Sequence, residues 1–487
     1  MISWANSGAD PGVPASEGGA RDLHLDLRDV VRPGARGVRE LLITALRDAV
    51  RSCRLAPGTV LPPSRSLAHD LGVARNTVAE AYAELVAEGW LASRQGAGTW
   101  VANTCPGPPP ARPRRTPGTP RHNLMPGSPD VAEFPRAGWL ASARRALAAA
   151  PTEALRMSDA RGRPELREAL AEYLGRARGV RTSPETVVVC AGVRHGVELL
   201  TRVLCGSPHA PRPVAVEAYG LFIFRDAIQA LGVATVPIGI DDHGAVIDEL
   251  DALDVPAVLL TPAHHSPHGM PLHSTRRTAA VEWAQRSGGY LVEDDYDGEF
   301  RYDRQPVGAV QSLAPERVVY LGSASKSLSP ALRLGWMVVP DGLLERVVGA
   351  AGGQQFFVDA VAQLTMADFI TSGHYDRHIR RMRMRYRRRR DVLVDALQGY
   401  DVGVHGLRAG LNLLLTLPED TEHQVLRRAG EAGIALAGLA RMRHPSAGAG
   451  VPESDGIVVG FGAPAEHAFP AAVDALCDVL RAVGLQR

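Results

Sequence analysis

Val318-Val319-Tyr320-Leu321-Gly322-Ser323-Ala324-Ser325-Lys326 is an apolar run that ends in small hydroxylated residues beside the only lysine of the chain; every other one of its 54 Lys and Arg residues is arginine. Arginine serves surface charge and phosphate contacts as well as lysine does, but its guanidinium stays protonated and cannot attack a carbonyl. A primary amine can shed its proton and form a Schiff base with an aldehyde. One amine kept in an arginine-rich chain, at the end of a strand-like run and shortly before Arg333-Leu334-Gly335, makes Lys326 the candidate reactive group.

Three further segments converge on that chemistry. Glu293-Asp294-Asp295-Tyr296 follows the run Tyr290-Leu291-Val292. It places carboxylates and a phenol at the C-terminal end of a strand, where open α/β sheets bind ligands. Ser323, Ser325 and Arg333 flank the lysine and can hold a phosphate dianion. Ala191-Gly192-Val193-Arg194-His195 turns from a strand into a helix, whose free N–H groups form an anion site. Together these fit one cofactor, pyridoxal 5'-phosphate: Lys326 forms the Schiff base, Asp294 keeps the pyridine nitrogen protonated and Tyr296 hydrogen-bonds the ring oxygen. Residues i and i+2 of an extended segment share a side, so Asp294 and Tyr296 are expected to face the ring and Asp295 to face away. The expected cofactor-binding set is Lys326, Asp294, Tyr296, Ser323, Ser325, Arg333, Gly192, Val193 and Arg194.

The bulk composition is that of a globular protein of two or three domains: 487 residues, 45 % apolar, 22 % charged. A net charge of +1 argues against a chain held on acidic partners by charge alone. No apolar run reaches membrane-spanning length and no signal peptide opens the chain. Cys53, Cys105, Cys190, Cys205 and Cys477 are odd in number and scattered without metal-ligand spacing. A reduced cytoplasmic protein with no metal and no membrane partner is the expectation.

The chain divides by pattern into four stretches. Residues 1–36 read as a flexible arm rich in Gly, Pro, Ser and Ala. Residues 37–102 carry helical periods and a hairpin. Residues 103–123, with Pro106, Pro108 to Pro110, Pro113, Pro117 and Pro120, read as a semi-rigid linker. Residues 124–487 form a large α/β region, in which short apolar runs such as Val187 to Cys190, Val214 to Val216 and Val258 to Leu260 alternate with helices. That alternation predicts a mostly parallel sheet covered on both faces.

Within 37–102, a helix from Val38, a short helix capped by Ser64 and ended by Gly72, and a helix from Ala74 to Glu88 precede a hairpin with Gly96-Ala97-Gly98 at its turn. This is the order of a winged helix-turn-helix. Arg75, Asn76 and Thr77 open the recognition helix, where base edges and phosphates are met. Arg65 and Arg94 are placed to hold phosphates of double-stranded DNA. Charge does not decide the matter, since residues 37–101 hold seven Arg against six Asp and Glu.

Resemblance supplies the rest. Leu55-Ala56-Pro57-Gly58-Thr59-Val60-Leu61-Pro62-Pro63-Ser64-Arg65-Ser66-Leu67-Ala68, Leu71-Gly72-Val73-Ala74-Arg75-Asn76-Thr77-Val78 and the wing Gly96-Ala97-Gly98-Thr99-Trp100-Val101 resemble the DNA-binding domain of GntR-type regulators, in which the residues matching Arg65, Arg75, Thr77 and Gly96 approach operator DNA. From about Leu124 onward the chain resembles the fold-type I aminotransferases, with Leu321 to Pro330 as the cofactor-lysine segment. The joint architecture, with Gly373-His374-Tyr375-Asp376-Arg377-His378, is similar to the MocR family of pyridoxal phosphate-dependent regulators. The resemblance implies a nucleoid-associated homodimer, swapped head to tail, that controls vitamin B6 or amino-acid metabolism genes and whose large domain senses an aldimine-forming ligand. A working aminotransferase with an accessory DNA domain is the alternative.

Departures from the family pattern matter. Met157 stands where a tyrosine commonly reaches the partner subunit's phosphate. Gly192-Val193-Arg194-His195 replaces Gly-x-Gln-Gln. Glu217-Ala218-Tyr219-Gly220-Leu221 leaves the ring-stacking aromatic to Tyr219 or Phe222. His264 or His265 is expected either on the ring oxygen or exposed to water. Ile457-Val458-Val459-Gly460-Phe461 lacks the arginine that binds an amino acid's carboxylate, which leaves room for pyridoxal phosphate itself as the signal beside an amino-acid-like effector. Arg377 to Arg390 holds nine arginines in fourteen positions, either a solvated face with interleaved ion pairs or a second DNA contact.

Overall fold

Apolar side chains at helical spacing build the first of two compact units, Met1–Gly118 and Thr119–Arg487. The computed structural model describes residues 37–52, 54–102, 120–156, 159–206, 210–302, 307–353, 358–448 and 451–486. The expected arm, most of the Pro-rich segment, Cys53, Cys105 and Met157 lie outside these residues. Helix α1 (Val38–Arg51) buries Leu42, Ile43, Leu46, Ala49 and Val50. Helix α2 (Ser64–Leu71) buries Leu67, Ala68 and Leu71, and Gly72 ends it in the left-handed conformation that a residue without Cβ adopts freely. Ser64 is its first helical residue and not its cap: Pro63 occupies the cap position, with no side-chain hydrogen bond. Helix α3 (Arg75–Ala87) packs Val78, Ala81, Tyr82 and Leu85 into the same core.

The wing is three-stranded. Strands β2 (Leu91–Arg94) and β3 (Gly98–Val101) pair antiparallel as expected. The short β1 (Val60–Leu61) adds to the free edge of β3, with Val60 opposite Trp100. Two residues are too few to show alternation, so no strand signal is readable there.

The large unit is a seven-stranded sheet between helices. Its strands are β4 (Val187–Cys190), β5 (Val214–Glu217), β6 (Thr235–Ile238), β7 (Ala257–Leu260), β8 (Tyr290–Asp294), β9 (Val318–Ser323) and β10 (Gly335–Val338). They lie in the order β4-β10-β9-β8-β7-β5-β6. All neighbours are parallel except β10, which runs antiparallel to both β9 and β4. Strands β4, β5, β7 and β9 are buried at every position, which is why they read as unbroken apolar runs. Strand β6 escaped the sequence reading because Thr235 and Pro237 interrupt its apolar pattern.

Among the flanking helices are α4 (Arg136–Ala149), α5 (Pro164–Arg178), α6 (Val193–Leu204), α7 (Phe222–Gln229) and α8 (Ser274–Ser287). A second, four-stranded sheet in the C-terminal part contains β11 (Gly403–His405), β12 (Asn412–Thr416), β13 (Ala437–Gly438) and β14 (Gly456–Gly460). The long helix α9 (His374–Ala396) carries the arginine run. It is neither a plain solvated face nor wholly a contact surface. Arg377, Arg380, Arg381, Arg387 and Arg388 are exposed. Arg389 is 2 % exposed and donates to Asp130, Glu466 and the carbonyls of Phe461 and Gly462. Arg385 pairs with Glu133 and Asp130, and Arg383 donates to the Glu299 carbonyl.

Removing one partner of a buried ion pair leaves the other charge uncompensated, typically at a cost of about 3–5 kcal/mol. Arg389→Ala should therefore destabilise the large unit by about that amount in urea unfolding, and Arg387→Ala, on the exposed side, by less than about 0.5 kcal/mol. Equal effects would show that the Arg389 network contributes no more than surface charge.

Candidate functional site

In the small unit, Arg65 is exposed at the start of α2, and Arg75 and Asn76 are exposed at the start of α3, with Thr77 half-buried behind them. Arg94 and Gly96 are exposed on the wing. The arginines of α1 are used differently: Arg47 pairs with Glu88 at 2.7 Å and Arg39 with Glu84 at 3.6 Å. Arg65, Arg75 and Arg94 are in no ion pair among the described residues. Cationic side chains left unpaired at two helix starts and one hairpin are available to phosphates and base edges.

In the large unit, the C-terminal ends of β4, β5, β7, β8 and β9 open onto a cavity of about 260 Å3. All nine expected cofactor residues line it. Because β10 runs antiparallel, its first residue, Gly335, sits between the ends of β4 and β9, opposite Cys190 and Ser323. A Cβ on Gly335 would come within 2.7 Å of Gly192 Cα, so this close approach requires glycine. Arg333 adopts φ 51°, left-handed for a residue with a side chain; such strain collects at functional sites. Gly127, whose Cβ position lies 2.9 Å from Lys326 Nζ, is left-handed at φ 68°, which favours glycine in the loop beside the amine.

The acidic segment divides as the i, i+2 rule expects. Asp294 lines the cavity with Tyr296. Asp294 Oδ1 is buried and has no hydrogen-bond partner among the described residues. Burial, with the neighbouring Asp295 charge, pushes the Asp294 carboxyl up to about 8, and Lys326 pulls it back. Burial lowers the Lys326 pKa, opposed by Asp294 and Asp297, which favours the neutral, nucleophilic amine. Asp295 turns away into a lock: Arg178 grips its two oxygens at 2.6 and 3.1 Å, and the Tyr320 hydroxyl donates to it at 2.7 Å.

Two expectations need correction. Neither Tyr219 nor Phe222 lines the cavity. The Tyr219 hydroxyl donates to the Pro452 carbonyl and its ring stands edge-on to His268, while Phe222 lies under the Arg441 guanidinium. Leu221 and Phe224 line the cavity instead. His264 and His265 are 3 % and 2 % exposed, so neither reaches water, and neither lines the cavity. His264 lies behind Tyr296, and His265 bonds the Tyr219 carbonyl.

Sequence reasoning missed Glu217, Ser266, Asn412 and Arg225, all of which line the cavity. Glu217 ends β5 as Asp294 ends β8, and that shared position was the available signal. Its Oε2 accepts from the Thr261 N–H at 3.1 Å and hydroxyl at 2.7 Å, and burial raises its pKa to about 8. Arg225 donates to the carbonyls of Met442 and Arg441. Among the described residues no group of His, Cys, Asp or Glu has metal-ligand geometry, and no helix is long and apolar enough to cross a membrane.

Comparison with known proteins agrees with both units. Residues 39–101 match the bacterial regulatory proteins of the gntR family, and residues 127–443 match aminotransferase class I and II. The fold resembles that of an archaeal alanine:glyoxylate aminotransferase, with a TM-score of 0.67 and 23 % identity over 74 % of this chain and 91 % of that one. The molecule is thus a GntR-type helix-turn-helix domain joined to an aminotransferase-like domain. It is 33 % identical over 427 residues to the "HTH-type pyridoxine biosynthesis transcriptional regulator PdxR" of Corynebacterium glutamicum, covering 86 % of this chain and 91 % of that protein. It is 30 % identical over 446 residues to the "Probable rhizopine catabolism regulatory protein MocR" of Rhizobium meliloti, covering 86 % and 89 %. The chain belongs to the MocR/PdxR-type HTH transcriptional regulators.

The contrast between the two aspartates can be measured. Asp294→Ala should weaken binding of added pyridoxal phosphate without destabilising the fold, since it removes an uncompensated buried carboxyl. Asp295→Ala strands the buried Arg178 and should cost about 3–5 kcal/mol of stability. The reverse assignment of effects would place the register wrong by one.

A pH effect follows from the raised carboxyl. A group whose pKa is raised on folding stabilises most below its unfolded value, about 3.9 for Asp. That contribution is lost as pH climbs through the folded value, here about 8. Cofactor-free protein should lose thermal stability between about pH 6 and about pH 8.5, and Asp294→Asn should lose less. Equal slopes for the two proteins would contradict the burial argument.

Proposed function

We propose that this chain is a cytoplasmic, pyridoxal phosphate-dependent transcriptional regulator that binds operator DNA through Arg65, Arg75, Asn76, Thr77, Arg94 and Gly96, and that pyridoxal phosphate itself is its signal. The regulated genes are then those of vitamin B6 or amino-acid metabolism. The observation that carries the reading is Asp294 Oδ1, a buried carboxyl oxygen without a partner, at a cavity that also holds the chain's single amine. A protonated ring nitrogen is the kind of donor such an oxygen lacks, so the residues present fit the cofactor.

When bound, pyridoxal phosphate supplies an aldehyde for an amine and an electron-withdrawing ring. The chain's residues do the remainder. Asp294 holds the ring-nitrogen proton, and the Tyr296 hydroxyl offers a hydrogen bond to the ring oxygen. The N–H groups opening α6 at Gly192, Val193 and Arg194, with Ser323, Ser325 and Arg333, hold the phosphate. Leu221 and Phe224 exclude water from the apolar wall. The segment Ile457 to Phe461 on and after β14, with Val458 fully buried, carries no arginine for an amino acid's carboxylate; that favours the cofactor over an amino acid as the ligand, as does the name of the pyridoxine-biosynthesis relative.

The working parts are an arm at 1–36, the DNA reader at 37–102, a tether at 103–123 and the sensor at 124–487. Self-association into a homodimer is supported by the exposed apolar face of α4, where Leu140 is 68 % and Leu147 44 % exposed; its head-to-tail arrangement is what the family resemblance implies. Two tethered readers gain effective concentration on paired half-sites without new contacts.

The test is operator affinity on the upstream DNA of the chain's own gene, at fixed salt, with and without pyridoxal phosphate. A change of about 5- to 150-fold is expected, the usual span of allosteric coupling. Lys326→Ala should abolish both the response and the near-visible absorption band expected of pyridoxal phosphate joined to a lysine. Arg75→Ala should keep the band and lose about ten- to hundredfold in operator affinity, the worth of one bidentate base contact. Equal affinity, footprint and bending in both forms would exclude the cofactor as signal, and steady turnover with amino donors would favour an enzyme.

A further inference from the structure

Behind Tyr296 lies a buried pair that the cavity does not touch. His264 Nδ1 is 2.8 Å from Asp297 Oδ2 and 3.1 Å from the Tyr296 hydroxyl. The two side chains of the pair are 3 % and 2 % exposed. A carboxylate can only accept, so Nδ1 carries the proton and points it at Asp297. Burial and the charges of Asp297 and Asp294 raise the Tyr296 phenol well above its ordinary pKa, and Ser266 opposes the shift. The fold reserves space for this arrangement. Gly410 is left-handed, with φ 71°, and a Cβ there would meet the His264 ring and come within 2.5 Å of Asp297 Oδ2. Burying such a pair gains little stability by itself, which points to another use.

We propose that His264 and Asp297 are positioning residues that set which way the Tyr296 phenol gives its proton, and thereby tune the proton affinity of the cofactor held at Lys326. This rests on the reading of the cavity as a pyridoxal phosphate site. The imidazole N–H satisfies part of Asp297's demand for donors. The phenol proton is then freer to turn toward the cavity and stabilise an anionic ring oxygen. Asp297 acts in the opposite sense, by competing for that proton and by favouring a positive charge at Lys326. The other titratable or charged groups around this corner are His265, next to His264, Glu299 and Tyr302, which feel the Asp297 charge, Asp294 and Glu217 at the strand ends, and Arg194, Arg225 and Arg333 on the cavity wall.

The experiment is a spectrophotometric pH titration of the near-visible band of the full-length, pyridoxal phosphate-loaded protein. His264→Leu removes the donor, and the spectral pKa should rise by about one unit, tenfold in proton affinity. His264→Asn keeps an N–H near the Nδ1 position and should stay close to wild type. Asp297→Asn should lower the spectral pKa by a similar amount. In a Tyr296→Phe background, His264→Leu should produce no further shift, because the phenol is the route of the effect. A His264→Leu shift of equal size in that background overturns the proposal, as do unshifted titrations in both single variants. Should His264→Leu not fold, Asp297→Asn decides: an unchanged or raised spectral pKa rejects the dyad. A wild-type protein without any near-visible band would sink the cofactor reading itself, a distinguishable failure.

Discussion

Four carboxylates crowd one strand end, and the site depends on only one of them lacking a protein donor. Glu293 accepts from the backbone N–H groups of Val310 and Gln311, both at 2.9 Å. Asp295 is held by Arg178 and Tyr320, and Asp297 by His264. Asp294 alone keeps a buried oxygen without a partner among the described residues. Desolvating a carboxyl without compensation is costly, and the surrounding fold must offset it. Strand β8 has parallel neighbours on both sides, so its last residue can be removed from water while its backbone stays satisfied. The alternation of a strand does the sorting: 293 and 295 fall to one side, 294 and 296 to the other.

The amine is placed by a second set of constraints. Ser327, next to Lys326, is gripped twice by α9: the Tyr375 hydroxyl donates to its Oγ at 2.9 Å, and His378 Nε2 bonds its carbonyl at 2.7 Å. The same helix reaches the second sheet through Arg389, which binds the carbonyls that follow β14. The arginine run is therefore an attachment between the two sheets on one side and open to solvent on the other. That explains how a helix with so much like charge is held in place. Its inward arginines meet Asp130, Glu133 and Glu466, and only the outward ones repel across water, where the field is screened.

Much of this was legible in the residues, for identifiable reasons. The single lysine, the acid-rich segment after an apolar run and the Gly192 turn were readable because each combines a local period with unusual chemistry. The helix-turn-helix was readable from its glycines and apolar spacing. Features that depend on long-range pairing were not. The apolar run Trp336 to Val339 carries no direction, so nothing announced that β10 is antiparallel, although that reversal brings Gly335 against Gly192. Glu217 was passed over because its segment was read for an aromatic, and Tyr219 turned out to be anchored at Pro452, more than two hundred residues away in sequence. His264 could not be told from an exposed loop histidine, since its partner Asp297 lies on another segment and only the folded backbone brings the two within 2.8 Å.

The scarcity of lysine acquires a physical sense from the same chemistry. An aldehyde condenses with any accessible amine, and exposed lysines on an ordinary surface offer many such amines, each charged and therefore slow. Lys326 differs from a surface lysine in burial, which lowers its pKa, and in the carboxyl beside it that would hold a ring nitrogen. Apart from the chain terminus, this protein offers an aldehyde no competing amine. For a protein that reads the concentration of a reactive aldehyde, as the proposed function holds, occupancy of the pocket and covalent capture then become the same event. Arginine elsewhere preserves the positive charge needed for ion pairs and phosphate contacts without adding a second site of reaction.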